Sequence, residues 1–241
     1  MTRDPVGRAS ARHPASKGPE IKGWCPGALR PMQSGDGLVV RIRPPMGRLT
    51  AQQATTIATA AATHGNGIID LSARANLQLR GVTEASHPRL IDDLRAQGLI
   101  DPDIETESLR NLIVTPFRDS PPPHPHKAVA GHPADNGYDD TDTLAANLTA
   151  ALAQMPRLPG KFGFALDTGA HLALTQASAD IRVERSADGD LILRPDGHPL
   201  GQPVADLAQD AIAMANWFVA SGGVSNGRGR MAALIAKGTV P

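Results

Sequence analysis

Cysteine is nearly missing from this chain: Cys25 is the only one among 241 residues. One thiol excludes an intrachain disulfide. It also excludes an iron–sulfur cluster or structural zinc site built from several thiolates of this chain alone. Excess charge is missing too. Basic and acidic residues number 24 each, so the formal net charge is zero, and nothing global points to nucleic acid or a membrane surface. No apolar run approaches the roughly 18 residues of a transmembrane helix. The N-terminal "MTRDPVGRASARHPASKGPE" has no secretory-type apolar stretch and carries Asp4 and Glu20. Residues 1–20 read as a disordered tail, and the cytoplasm is the default location. Lysine is scarce: Lys17, Lys22, Lys127, Lys161 and Lys237 are all there are. In a chain this biased toward arginine a single arginine says little, and a lysine in a structured stretch says more.

What is there suffices for one large or two ordinary domains with a proper core. "GDGLVVRIRPP" (35–45) alternates apolar and basic residues and stops at Pro44-Pro45, the pattern of a strand. "LTAQQATTIATAAATHG" (49–65) reads as a helix, with Thr50 and Gln53 spaced as a capping box and Gly65 at its end. Strands over 66–72 and 75–81 and a helix over 86–97 complete a β-α-β-β-α order, most of a ferredoxin-like unit. The acidic "IDPDIETESLR" (100–110) reads as a connector. A second unit follows, with a strand at 111–116, a long Pro- and His-rich loop at 118–140 and a helix over 140–155. Strands at 161–167, 179–185 and 190–196 and helices over 204–220 and 230–237 complete it. The expected class is α+β, with units at 21–99 and 105–238.

Within "SARANLQLRG" (72–81), Arg74, Asn76, Gln78 and Arg80 share one parity, and Leu77 and Leu79 the other. A strand would bury the leucines and present the polar row, either to water or to an anion. Arg41 and Arg43 on the neighbouring strand and Arg110 at the next strand's mouth add guanidiniums suited to a polycarboxylate. Lys161, after Pro159-Gly160, is either a solvated strand end or an ammonium beside that cluster. Cys25 reads as a small buried apolar residue, with a redox role as the minority option. His124, His126 and His132 have metal-compatible spacing in a Pro-rich loop that favours mobility instead. "SNGRGRM" (225–231) is either an anion-binding helix start or a solvated linker.

These segments, in this order, resemble the sulfite and nitrite reductase superfamily. "CPGALRPMQSGDGLVVRIRPPMGRLT" and "KFGFALDTG" are most similar to its precorrin-3B synthase branch. The resemblance implies a ferredoxin-like half-domain followed by a tetrapyrrole-contacting α/β domain. "ARANLQLRG" resembles the family's Arg-x-x-x-Gln strand, "RNLIVTP" its Arg-Asn segment and "LPGKFGFALD" its Leu-Pro-x-Lys-Phe-Lys strand. They imply anion-binding roles for Arg74, Arg110 and Lys161, with Gln78, Arg80, Arg41 and Arg43 on the same basic face. The implied activity is oxygen-dependent hydroxylation of precorrin-3A with lactone closure, in corrin ring synthesis. NADH is the implied reductant, and a 4Fe-4S cluster and siroheme are the cofactors of the family. The chain departs from the pattern at Gly163, where reductases carry a second lysine, which argues against sulfite or nitrite reduction. It also resembles only the first of two family repeats, and the cluster cysteines belong to the second. A separate Cys-bearing chain or a homodimer is the expected complement. The rival readings are a non-catalytic tetrapyrrole-binding protein, a reductase-like fragment, and an unrelated α+β domain with a solvated arginine face.

Overall fold

The computed structural model describes residues 26–118, 141–169 and 171–241. The expectations for residues 1–20, for Cys25 and for His124, His126 and His132 lie outside the described residues. The fold is α+β, with two sheets that each carry helices and their own apolar core.

The first sheet is antiparallel, in the order β1 (Met32–Ser34), β2 (Gly37–Ile42), β4 (Leu77–Val82), β3 (Ile69–Leu71). Helices α1 (Ala51–His64) and α2 (His87–Ala96) cover its apolar face. The start of α1 follows from local chemistry. The Gln53 N–H donates to Thr50 Oγ1 at 3.1 Å, and Gln53 Oε1 accepts from the Thr50 N–H at 2.9 Å. Ile57, Ala60 and Ala61 then fall on one stripe and are buried against Val40, Ile42 and Leu79. Simple alternation fails at one point in β4. Leu79 and Val82 are both fully buried although three residues apart, which requires an extra residue in the strand. The register shifts there, and Gly81 takes φ +69°, a left-handed conformation that suits glycine.

The second sheet runs β5 (Leu112–Val114), β6 (Phe164–Asp167), β7 (Ile181–Arg185), β8 (Leu191–Pro195), β9 (Gln202–Pro203). The pairs β5–β6 and β6–β7 are parallel, and β7–β8 is the hairpin that the sequence pattern suggests. Helices α4 (Thr141–Ala151) and α5 (Leu207–Ala220) pack on it with the short α6 (Met231–Ile235), around Phe164, Leu166, Ile181, Leu193 and Phe218. Among the described residues no helix is long and apolar enough to cross a membrane.

Three expectations shift. The strand expected from residue 75 starts at Leu77, because Ser72 to Asn76 form the turn of the β3–β4 hairpin, with Ala75 at φ +53°. The strand expected from Lys161 starts at Phe164, and Lys161 lies in the turn before it. The acidic connector contains a helix, α3 (Ile104–Leu109), because the Asp103 carboxylate accepts from the Thr106 N–H at 2.7 Å and caps it.

Candidate functional site

The basic residues of the predicted face differ in what holds them and in which unit their partners lie. Gln78 and Arg80 point from β4 away from the helices, while Leu79 is fully buried on the helix side. On that outer face Arg41 Nη2 donates to Gln78 Oε1 at 2.8 Å across the β2–β4 pair. Arg80 is clamped by Asp36, at 3.0 and 3.1 Å, and donates to Ser34 Oγ at 3.1 Å. The Arg80 hydrogen bond holds the Asp36 carboxyl below its ordinary range. Arg43 lies just past β2 and is buried, with its guanidinium donating to the Glu107 carbonyl oxygen of α3. Arg110, which ends α3, is held by both Asp101 oxygens, at 2.7 and 2.9 Å, and also donates to the Arg43 carbonyl at 2.9 Å. Asn76, the remaining member of the row, is buried in the hairpin turn.

Arg74 and Lys161 differ. From the hairpin turn of the first unit, Arg74 Nη2 reaches the Lys161 carbonyl oxygen at 3.3 Å and Ser178 Oγ at 3.2 Å, both in the second unit. These acceptors are neutral, and among the described residues no carboxylate pairs with Arg74 or with the exposed Lys161 ammonium. Arg230, from the loop before α6, donates to the same Ser178 hydroxyl at 3.0 Å. Its Nε binds the buried Asp180 at 2.9 Å. Burial pushes the Asp180 carboxyl up, against the pull of Arg230. Arg74, Lys161 and Arg230 thus share one corner between the units. Arg110 sits apart from it, in the Asp101–Arg43 cluster. Arg230 was visible in the sequence only as part of "SNGRGRM"; its approach to Ser178 spans 52 residues, which no local pattern encodes.

Beside this corner lies a cleft of about 280 Å³ between the units. Ala73 and Ala75, on either side of Arg74, line it with Ile113, Val114 and Leu174, and Arg48 and Arg118 supply its charge. Part of the wall is the end of β5, the place where open sheets with parallel strands bind ligands. A basic rim around an apolar slot suits a flat anion with several carboxylates.

Comparison with known proteins agrees with this architecture. Residues 30–97 match the nitrite/sulfite reductase ferredoxin-like half domain, so that segment is a half domain of this type. The chain is similar to precorrin-3B synthase of Sinorhizobium sp, with 38% identity over 166 residues, 68% of this chain and 32% of that protein. It is also similar to ferredoxin–nitrite reductase of Synechococcus elongatus, 31% identical over 58% of this chain and 26% of the relative. The Mycobacterium tuberculosis NirA structure has the same fold, with TM-score 0.54 and 16% identity over 83% of this chain and 37% of that one. The chain spans about a third of these proteins' lengths or less.

The cluster implied by the family does not fit these residues. Cys25 is the single thiol of the chain, and among the described residues no group of three His, Cys, Asp or Glu side chains is placed to hold a metal.

Proposed function

We propose that the chain is the tetrapyrrole-holding half of a precorrin-3B synthase-type monooxygenase of corrin ring synthesis. It would orient precorrin-3A for oxygen-dependent hydroxylation and lactone closure. The observation that carries this reading is the pair Arg74 and Lys161. Both side chains lack carboxylate partners among the described residues, and the Arg74 guanidinium crosses the unit boundary to the Lys161 backbone carbonyl beside an apolar cleft. Similarity to precorrin-3B synthase supports the substrate class. Arg74 and Lys161 bind carboxylates of the macrocycle by charge-assisted bonds. The walls formed by Ile113, Val114 and Leu174 and by the hairpin turn exclude water from one face. Arg110, Gln78, Arg80, Arg41 and Arg43 then act as a second tier, holding the basic face in place through their internal partners.

The single cysteine favours a second reading, a tetrapyrrole-binding protein with no chemistry of its own. Labelled dioxygen separates the two. Precorrin-3A and NADH are incubated under heavy-oxygen dioxygen, with the purified chain and with a lysate of its own cells. Label entering the product in the lysate, and lost when the chain is depleted, supports the synthase. Precorrin binding without chain-dependent label supports the carrier. Absence of binding and of label contradicts both.

A further inference from the structure

Two of the residues that line the cleft, Leu174 and Ala177, belong to a strap over residues 171–178, between β6 and β7 in the chain. The strap contains no helix or strand, so its backbone groups need partners from elsewhere. Charged side chains of the second sheet supply them. The Asp167 carboxylate, at the end of β6, accepts from the Leu174 N–H at 2.7 Å and from the Ala173 N–H at 3.1 Å. The Arg182 guanidinium, on β7, donates to the Leu174 carbonyl at 2.9 Å and to the Ala177 carbonyl at 2.7 Å. Leu174 is therefore gripped at both its N–H and its carbonyl by side chains of opposite charge.

Asp167 and Arg182 are 1% and 4% exposed. Their strand neighbours Leu166, Ile181 and Val183 enter the apolar core, so alternation puts both charges on the opposite face of the sheet, outside that core. Burying a carboxylate and a guanidinium is costly unless their hydrogen bonds are complete, and here the bonds go to the strap. The grip falls on the two strap residues that line the cleft, while Thr175 and Gln176 between them stay exposed. We infer that Asp167 and Arg182 are positioning residues: they set the strap so that Leu174 and Ala177 form a fixed apolar wall for the bound ligand. Neither lines the cleft itself, and both act through the strap backbone. That the ligand is a tetrapyrrole rests on the function proposed above; the attachment of the strap rests on the four hydrogen bonds.

The test compares the full chain as wild type, Asp167→Asn, Ala173→Pro and the double variant. Asp167→Asn turns one acceptor oxygen into a donor. Ala173→Pro removes a donor to the same carboxylate at an exposed residue, and it carries the test alone if Asp167→Asn does not fold. Two quantities are read: amide hydrogen exchange at Leu174 and in β6 and β7, and the affinity for uroporphyrin by fluorescence titration. Each single variant is expected to speed exchange at Leu174 about tenfold, with β6 and β7 unchanged. Each is also expected to weaken uroporphyrin about tenfold, the equivalent of one hydrogen bond to a charged group. The double variant is expected to bind no more weakly than Asp167→Asn, because both changes release the same strap. Losses that add in the double variant, or faster exchange throughout β6 and β7 in Ala173→Pro, mean a general structural role and overturn the inference. Faster exchange at Leu174 with uroporphyrin affinity unchanged overturns the inference and leaves the tetrapyrrole reading standing. Uroporphyrin binding to none of the proteins, wild type included, overturns the proposed function and the inference with it.

Discussion

A lysine at position 163 would bring its Cβ to 2.8 Å from Asn111 Nδ2 and 3.1 Å from the Asn111 carbonyl oxygen. Asn111 cannot step aside cheaply, since it is buried and its amide donates to the Phe162 carbonyl at 2.8 Å. The Gly163 N–H is itself held by the buried Asp180 at 3.0 Å. The departure from the reductase pattern is therefore built into the packing. Gly163→Lys is expected to lower the unfolding free energy by about 1–3 kcal/mol, the usual cost of overpacking, without gaining sulfite binding. Denaturant unfolding and a sulfite titration check this, and a fully stable variant that binds sulfite contradicts it. Glu107 makes a pH prediction. Burial pushes its carboxyl up, opposed more weakly by the Ala28 N–H and by Arg43. A raised folded value means that its contribution to stability is present below the ordinary glutamate range and is lost as pH rises through that folded value. The stability of wild type minus that of Glu107→Gln should accordingly fall as pH rises, and a pH-independent difference would rule this out. Sequence could not distinguish Arg74 from Arg80, which share a parity. They differ because Arg74 falls in the turn before β4, while Asp36, 44 residues from Arg80 in the chain, closes on Arg80 with Asp70 at 3.7 Å.

Elements were legible where their signals are local. The Thr50–Gln53 capping box needs only four residues of context and forms as the spacing suggests. Thr50→Ala is expected to cost about 1 kcal/mol, read from the midpoint of thermal unfolding; an unchanged midpoint would mean the box is idle. Short elements were not legible. The three-residue β1 pairs with β2 through the Ser34–Gly37 turn, and α3 is six residues inside an acidic run that reads equally well as a connector. The shift of β4 to start at Leu77 has a related cause: a polar row of even parity continues without a break from strand into turn, so period alone cannot mark the boundary.

At the scale of the whole molecule, two cores are joined by polar contacts that span long stretches of chain. Glu107 of α3 accepts from the Ala28 and Leu29 N–H groups, Arg43 binds the Glu107 carbonyl, and Arg74 reaches Lys161 and Ser178. Many strands and helices of the two sheets were readable from the sequence because hydrophobic period is a local signal. Their junction was not, because its partners lie 64 to 104 residues apart. In the proposed function this junction holds an anionic tetrapyrrole through Arg74 and Lys161. Calorimetric titration of uroporphyrin into wild type, Arg74→Ala and Lys161→Ala tests it most directly. Each variant is expected to lose on the order of 1.5–3 kcal/mol of binding free energy, the range for a hydrogen bond to a charged group, with weakening of both wild-type and variant binding as salt rises. Equal affinity in the three proteins, or no binding to any of them, would contradict the account.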